Sequence, residues 1–305
     1  MSKLRFLVSL ITRENDYQVE QAAAALAAAK EIGVDADIVY ADNDPITQST
    51  QVLKAIQAEP SQRPNGIIVE PLGATAFPQA AQAAVSAGIG WAVLSRRADY
   101  APKLGQSSRS PVFSVSVDQV EVGRIQARQV MALLPRGGSA LFIQGPSVSS
   151  VSQERQEGLM ELLPGSVHLT NLRGRWTEES AHQSVCSWFK LMTAQKARID
   201  LVLAQNDVMG MGARKAIEET VTGPDRDDWL EIPITGVDGV PKTGQAWVTG
   251  GKLAATVIVP PSSGKALRLM AEALWKGSGS IAEHIYTSPT AFPEIAKLTP
   301  KSPKG

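Results

Sequence analysis

Cysteine, histidine and aromatic residues are scarce in this chain, neither charge is in excess, and each shortage removes a class of function. A lone cysteine, Cys186, leaves no partner for an intramolecular disulfide. It falls at helical spacing among Ala181, Val185, Trp188, Phe189 and Met192, the setting of a small buried hydrophobe rather than a nucleophile. The histidines His168, His182 and His284 are far apart and form no HExxH or other metal-ligating spacing. Basic and acidic residues balance at 30 each, so the basic excess of a nucleic-acid or anionic-membrane binder is missing.

No apolar run approaches the ~20 residues that a membrane span needs; Ala22 to Ala29 is short and alanine-rich. The start, Met1 to Arg5 followed at once by the strand-like Phe6-Leu7-Val8-Ser9-Leu10, lacks the apolar core and cleavage site of a signal peptide. A GxxxxGK[ST] phosphate loop and a GxSxG elbow are both absent. Gly210-Met211-Gly212 lies inside a helical pattern, and Gly277-Ser278-Gly279-Ser280 reads as a turn. No metal and no cofactor are therefore expected. An enzyme reading survives only in a carboxylate-based form, with Asp16, Glu70 or Asp238 as its acids.

What is present is a regular alternation of strand and helix signals over 305 residues, enough for two lobes. Strands are expected at Phe6 to Ile11, Ala36 to Tyr40, Gly66 to Val69 and Trp91 to Leu94. The intervening helices include one with Val19, Ala22, Ala23, Leu26 and Ala29 on one face, stopped by Gly33. The stretch Arg97 to Pro111, rich in Ser, Pro, Gly and Arg, reads as an exposed loop. After strand Phe113 to Val117 the rhythm restarts. Strands follow at Ala140 to Ile143, Val167 to Leu172, Leu201 to Ala204, Ile232 to Val237 and Leu253 to Ile258, then helix Ser263 to Trp275 and a proline-punctuated tail. Short βα connections argue for parallel sheets covered on both faces. The expected fold is α/β, with two similar doubly wound parallel-sheet lobes dividing near Asp118 and a small-molecule cleft between them.

In open α/β sheets ligands bind beyond the carboxyl ends of the strands. Leu203-Ala204-Gln205-Asn206-Asp207 and Ile234-Thr235-Gly236-Val237-Asp238-Gly239 each run from an apolar strand to a polar tip, placing Asn206 and Asp238 there. Both can bond hydroxyl groups. Capping of the next helix by Asn206 or Asp207, and a plain turn at Asp238, are the competing readings. Ser9 ends the first strand before a polar loop carrying Asn15 and Tyr17. Ser95-Arg96-Arg97 ends the fourth strand, where Arg96 offers a rigid fork of donors. Trp176 could stack on a sugar ring, or simply pack under its loop.

Together these pieces resemble the type I periplasmic sugar-binding proteins, nearest the ribose-binding branch, a fold shared with the effector domains of lac-repressor-type regulators. The resemblance runs from Phe6 to about Trp275. It is carried by Leu203 to Ala213, Gly236-Val237-Asp238-Gly239 and Gly251 to Thr256, with weaker support from Gln153 to Gly158 and Leu94-Ser95-Arg96. It implies three crossing segments acting as a hinge, near Val117 to Gln119, Val259 to Pro261 and Ser288 to Thr290. The lobes it implies are 1–118 with 261–289 and 119–260 with 290–305.

By the same resemblance Arg96, Asn206 and Asp238 match sugar-contacting positions, Trp176 matches a stacking aromatic, and Asn15 and Tyr17 match first-loop contacts. Three positions depart from the ribose branch: Ser95 stands for an aspartate, Gln153 for a second arginine and Val259 for a glutamine. A pocket lacking those partners should bind ribose poorly. The resemblance implies a monomeric, non-enzymatic solute-binding protein that captures a small sugar or polyol for a membrane permease of the ABC type, in the periplasm. A ligand sensor of the same fold, signalling to a protein partner and residing in the periplasm or cytoplasm, is the alternative. Nucleic-acid partners and membrane insertion are not expected.

Overall fold

In the computed structural model the described residues are 3–72, 77–96, 98–106, 108–191, 198–277 and 281–300. Arg97, Met192 and Ser278 to Ser280 of the expected turn lie outside them. The chain divides into two compact units, Met1–Val117 with Pro260–Thr287 and Asp118–Val259 with Ser288–Gly305. Both are α/β with parallel sheets, as the alternation predicts.

The first unit begins with β1 (Arg5–Leu10), α1 (Asp16–Ile32), β2 (Asp35–Tyr40), α2 (Pro45–Gln57), β3 (Gly66–Val69), α3 (Pro78–Ser86) and β4 (Gly90–Leu94). It continues with α4 (Ala101–Gln106) and β5 (Val112–Val117). The numbering runs on through the second unit, and the last two elements of the first are α11 (Ser263–Lys276) and β11 (His284–Thr287). Its six strands are all parallel, in the order β11-β5-β4-β3-β1-β2.

Strand side chains alternate between two cores. Phe6, Val8, Leu10, Ile68, Ala92 and Leu94 join the core under α1 and α11, whereas Leu7, Ile67, Val69, Trp91 and Val93 join the opposite one. Two-sided burial explains why these strands read as continuous apolar runs rather than as alternating ones. Asn15 caps α1 by accepting from Tyr17 and Gln18 N–H, and Gly33 ends it at φ +75°. Asp44 caps α2 just before Pro45.

Two expectations fail in this unit. The buried face of α1 is Gln18, Gln21, Ala22, Ala25, Ala28 and Ala29, while Val19 and Leu26 are exposed. Small alanines let α1 lie close to its neighbours, and Gln18 and Gln21 are buried with hydrogen-bond partners, so size and hydrogen bonding rather than hydropathy select the face. The stretch after the fourth strand is not an exposed loop throughout. It holds α4, whose Ala101 and Leu104 are buried against the β3–β4 core.

The second unit carries α5 (Gln119–Leu133), β6 (Gly138–Gln144), α6 (Ser150–Leu162), β7 (Val167–Arg173), α7 (Glu178–Phe189), β8 (Leu201–Ala204) and α8 (Asp207–Thr220). The short α9 (Arg226–Leu230), β9 (Ile234–Thr235), a π-helical turn Pro241–Gln245, α10 (Ala246–Thr249), β10 (Thr256–Ile258) and β12 (Thr290–Phe292) complete it. Its parallel sheet runs β7-β6-β8-β9. Bridges Thr235–Ala255 and Asp238–Ile258 join β10 to its edge, and β10 pairs antiparallel with β12.

The strands expected at Ile232 to Val237 and Leu253 to Ile258 are therefore shorter than their apolar runs. The tail holds two strands, β11 and β12, that its prolines concealed. Thr177 caps α7 and Asn206 caps α8. Trp188 is buried as expected; Phe189 and Cys186 are partly buried against the same core, and Trp188, Phe189 and Trp229 meet edge to face.

Candidate functional site

Parallel strands carry their chain out at one end, and polar residues gather there in both units. In the first unit Glu70 directly follows β3 and Ser95-Arg96 follow β4. Glu70 is 5 % exposed, and Ser95 donates its hydroxyl to Glu70 Oε1 at 2.8 Å. Gln21 reaches from α1 to Glu70 Oε2 at 3.5 Å, to the Tyr17 hydroxyl at 3.2 Å and to Ser262 Oγ at 3.3 Å. Gln48 donates to the Glu70 carbonyl at 2.8 Å and to Ser9 Oγ at 3.2 Å, and accepts from Leu72 N–H. Burial pushes the Glu70 carboxyl above its ordinary value, against the pull of Ser95, Gln18 and the Arg96 charge.

Ser9 is thus fully buried, with its hydroxyl facing Gln48. Asn15 spends its oxygen on the α1 cap. Tyr17, Ser95 and Arg96 are partly exposed at the sheet's end.

In the second unit the tips of β6, β7, β8 and β9 converge on one constellation. Asn206 is both cap and candidate ligand group: its oxygen accepts from Met209 N–H at 3.0 Å, and its amide donates to the Trp176 carbonyl at 3.2 Å. Trp176 lies on Gly145, where a Cβ would come within 2.2 Å of the indole ring. Glycine at 145 is therefore a condition of the ring's position. Arg155 stands over the same indole with its guanidinium carbon 5.7 Å from the ring centre.

Arg155 is 4 % exposed, donates to Gln119 Oε1 at 2.8 Å and to the Gln205 carbonyl, and lies 3.9 Å from Asp238 Oδ1. Gln205 accepts from Gly145 N–H at 2.8 Å and from the Ser152 hydroxyl at 2.7 Å. Gln153, by contrast, is exposed and donates to the Ser147 carbonyl at 2.7 Å. The arginine that meets Trp176 and Asp238 is Arg155, two positions further along α6.

Asp207 sits beneath Asp238. Its Oδ2 accepts from Gly239 N–H at 2.7 Å and its Oδ1 from the Thr256 hydroxyl at 2.6 Å. Burial first, then the Asp238 charge, push its carboxyl well above the ordinary value; Thr256, Gly239 and Arg155 act the other way.

The backbone singles out the same places. Among the described residues the non-glycine positions with positive φ are Asp42, Asn43, Phe77, Ser95 (+65°), Trp176 (+65°) and Asp238 (+109°). Such conformations cost about 1–3 kcal/mol each and persist where the surroundings enforce them, often at ligand sites. Three of the six are residues that the sequence placed at strand tips. The residues it left unplaced at a site are Gln21, Gln48, Arg155 and Gln205. Of these, Arg155 and Gln205 had a usable signal, inside the Gln153 to Gly158 and Leu203 to Ala213 segments. Among the described residues no group of three or more His, Cys, Asp or Glu could hold a metal ion, and no helix is long and apolar enough to cross a membrane.

A family model described as a periplasmic binding protein domain matches residues 6–279. The chain belongs to that family. A xylitol-binding protein of Mycolicibacterium smegmatis is 28% identical over 257 residues, covering 82% of this chain, which spans 66% of that relative's length. The ribose import binding protein of Escherichia coli is 22% identical, over 86% of this chain and 81% of its own. Among solved structures, an ABC transporter periplasmic solute binding protein from Actinobacillus succinogenes with bound D-allose superposes with a TM-score of 0.80. It is 21% identical and the match covers 97% of this chain and 99% of that one, a likeness of fold. The family's members bear out the type I reading and make the chain's relatives substrate-binding proteins rather than enzymes.

Proposed function

We propose that this chain is a solute-binding protein that captures an uncharged polyhydroxylated molecule, a sugar or polyol, at its polar strand tips. The observation that carries the reading is the coincidence of backbone strain and hydrogen-bonding chemistry at Ser95, Trp176 and Asp238. A hydroxyl both donates and accepts. In the first unit Arg96 supplies donors; in the second the Asn206 amide supplies a donor, Asp238 an acceptor, and Trp176 an apolar face for ring or chain carbons. The names of the relatives, binders of xylitol and of ribose, support the same ligand class.

Ribose itself fits less well. Ser95 turns its hydroxyl to Glu70, Gln153 turns to Ser147, and Val259 is buried and apolar. None of the three supplies what the ribose-like pattern has there. Delivery to a membrane permease of the ABC type, in the periplasm and without turnover of the ligand, completes the proposal. A thermal-unfolding screen against xylitol, D-ribose, myo-inositol and sugar acids tests it. Ligand at 100 times its dissociation constant stabilises a fold by about 2.7 kcal/mol. A shift with a neutral polyol is expected; a shift with sugar acids alone, or consumption of the bound polyol, would overturn the reading.

A further inference from the structure

We propose that Glu70 and Asp207 are positioning residues: each is a buried acid at the carboxyl end of one strand that holds the left-handed tip of the next strand in its ligand-ready conformation. The inference rests on the solute-binding reading above and extends it to groups that need not touch the ligand.

A buried acid beside a strained tip occurs once in each unit, bonded to a side-chain hydroxyl in the first and to a backbone N–H in the second. Glu70 follows β3, and the tip it holds follows β4, paired with β3 from Gly66–Gly90 to Val69–Val93. The bond is to Ser95 Oγ, on a residue at φ +65°. Asp207 follows β8, and the tip it holds follows β9, paired with β8 at Leu203–Thr235. The bond is to the N–H of Gly239, next to Asp238 at φ +109°.

Asp207 is locked from several sides. Its own N–H donates to the Val237 carbonyl at 2.7 Å, and Thr256 on β10 donates to its other oxygen. A Cβ on Gly236 or Gly244 would lie 2.2 Å or 2.0 Å from its carboxylate oxygens, so the turn packs directly on the acid. Asp238 N–H in turn donates to the Val257 carbonyl, and Val259 N–H to the Asp238 carbonyl, each at 3.0 Å. The acid thus grips the turn on both sides of Asp238, at the Val237 carbonyl and the Gly239 N–H, while β10 pairs with the Asp238 backbone itself.

A buried acid is a poor way to gain stability, because desolvation opposes it. Its hydrogen bonds are directional, however, and a strained tip needs direction. The charged groups facing Asp207 are Asp238 and Arg155; the charge facing Glu70 is Arg96.

The test uses the full chain with xylitol as probe, and amide exchange without any ligand. Asp207→Ala and Glu70→Ala are expected to weaken xylitol binding at least tenfold while the protein remains folded. Asp207→Asn and Glu70→Gln, which keep an acceptor oxygen, are expected to stay within about threefold of wild type. In Asp207→Ala the Gly239 amide should exchange at least tenfold faster, with the Gly236 amide, bonded to the Ala255 carbonyl at 2.9 Å, unchanged. Equal loosening of both amides, or alanine variants that bind xylitol like wild type, would overturn the proposal. If wild type ignores xylitol, the ligand reading is what suffers, and the exchange comparison still decides the positioning role. If Asp207→Ala does not fold, the Gly239 amide resonance decides. It should titrate in wild type above the ordinary aspartate range and cease to do so in Asp207→Asn; a flat wild-type profile would count against the role.

Discussion

The two units share a plan, but their strand tips differ in what they offer. In the first, the cation Arg96 is partly exposed at the sheet's end and the neighbouring acid, Glu70, is buried. In the second both an acid and a cation, Asp207 and Arg155, are buried. Arg155 is buried and engaged with Gln119, Gln205 and the face of Trp176, while Asp238 and the indole stand at the end of the sheet. The first tip offers a cation, and the second an acceptor, an amide and an apolar face. The same topological position, after β4 and after β9, thus carries different chemistry in the two units.

Removing the buried cation should break this contrast most severely. Arg155→Met leaves Gln119 Oε1 and the Gln205 carbonyl without their donor and Asp238 without its cation. Leaving a buried acceptor without its donor costs about 1–3 kcal/mol. Urea denaturation followed by tryptophan fluorescence should show a loss of that size; an unchanged midpoint would mean that Arg155 holds nothing.

Gly145→Ala acts on the indole alone. The added methyl cannot coexist with the ring at its present position, so the partly exposed ring is displaced. Weaker polyol binding with little change in unfolding is expected, measured by calorimetry. Unaltered binding would remove Trp176 from the site.

A smaller effect separates the buried acids by pH. Asp207 has a raised folded pKa, so folding favours its protonated form. That contribution is complete below the ordinary aspartate value and is lost as pH rises through the folded value. Wild-type stability should therefore fall relative to Asp207→Asn as pH rises from the ordinary aspartate value toward neutrality. A pH-independent difference between the two proteins would contradict the assignment. Gln153→Ala should do least, within about 0.5 kcal/mol in stability and with unchanged ligand affinity, because its side chain only closes a loop onto Ser147.

Much of this was legible in the chain. Buried parallel strands announce themselves as apolar runs, and polar tips follow them, so Ser95, Asn206 and Asp238 could be placed from sequence. Asn206 proved to be cap and tip at once, because one oxygen and one amide serve two partners. What sequence could not give was the direction of side chains. Ser9 has the right position for a tip but faces Gln48 inside. Gln153 and Arg155 are two residues apart on one helix, yet helical rotation sends only Arg155 inward. The α1 face was misread because its alanines are buried for their smallness and Gln18 and Gln21 for their hydrogen bonds, neither of which hydropathy periodicity weighs. Strand β9 is short because the turn that positions Asp238 ends it early.

The most direct test of the account is calorimetric titration of the full chain with xylitol and with D-ribose, repeated on Arg96→Ala and Asp238→Ala. Saturable binding of xylitol, weaker binding of ribose, and a loss of at least tenfold in xylitol affinity in each variant while both remain folded are expected. Submicromolar ribose binding, or xylitol binding indifferent to both substitutions, would contradict it.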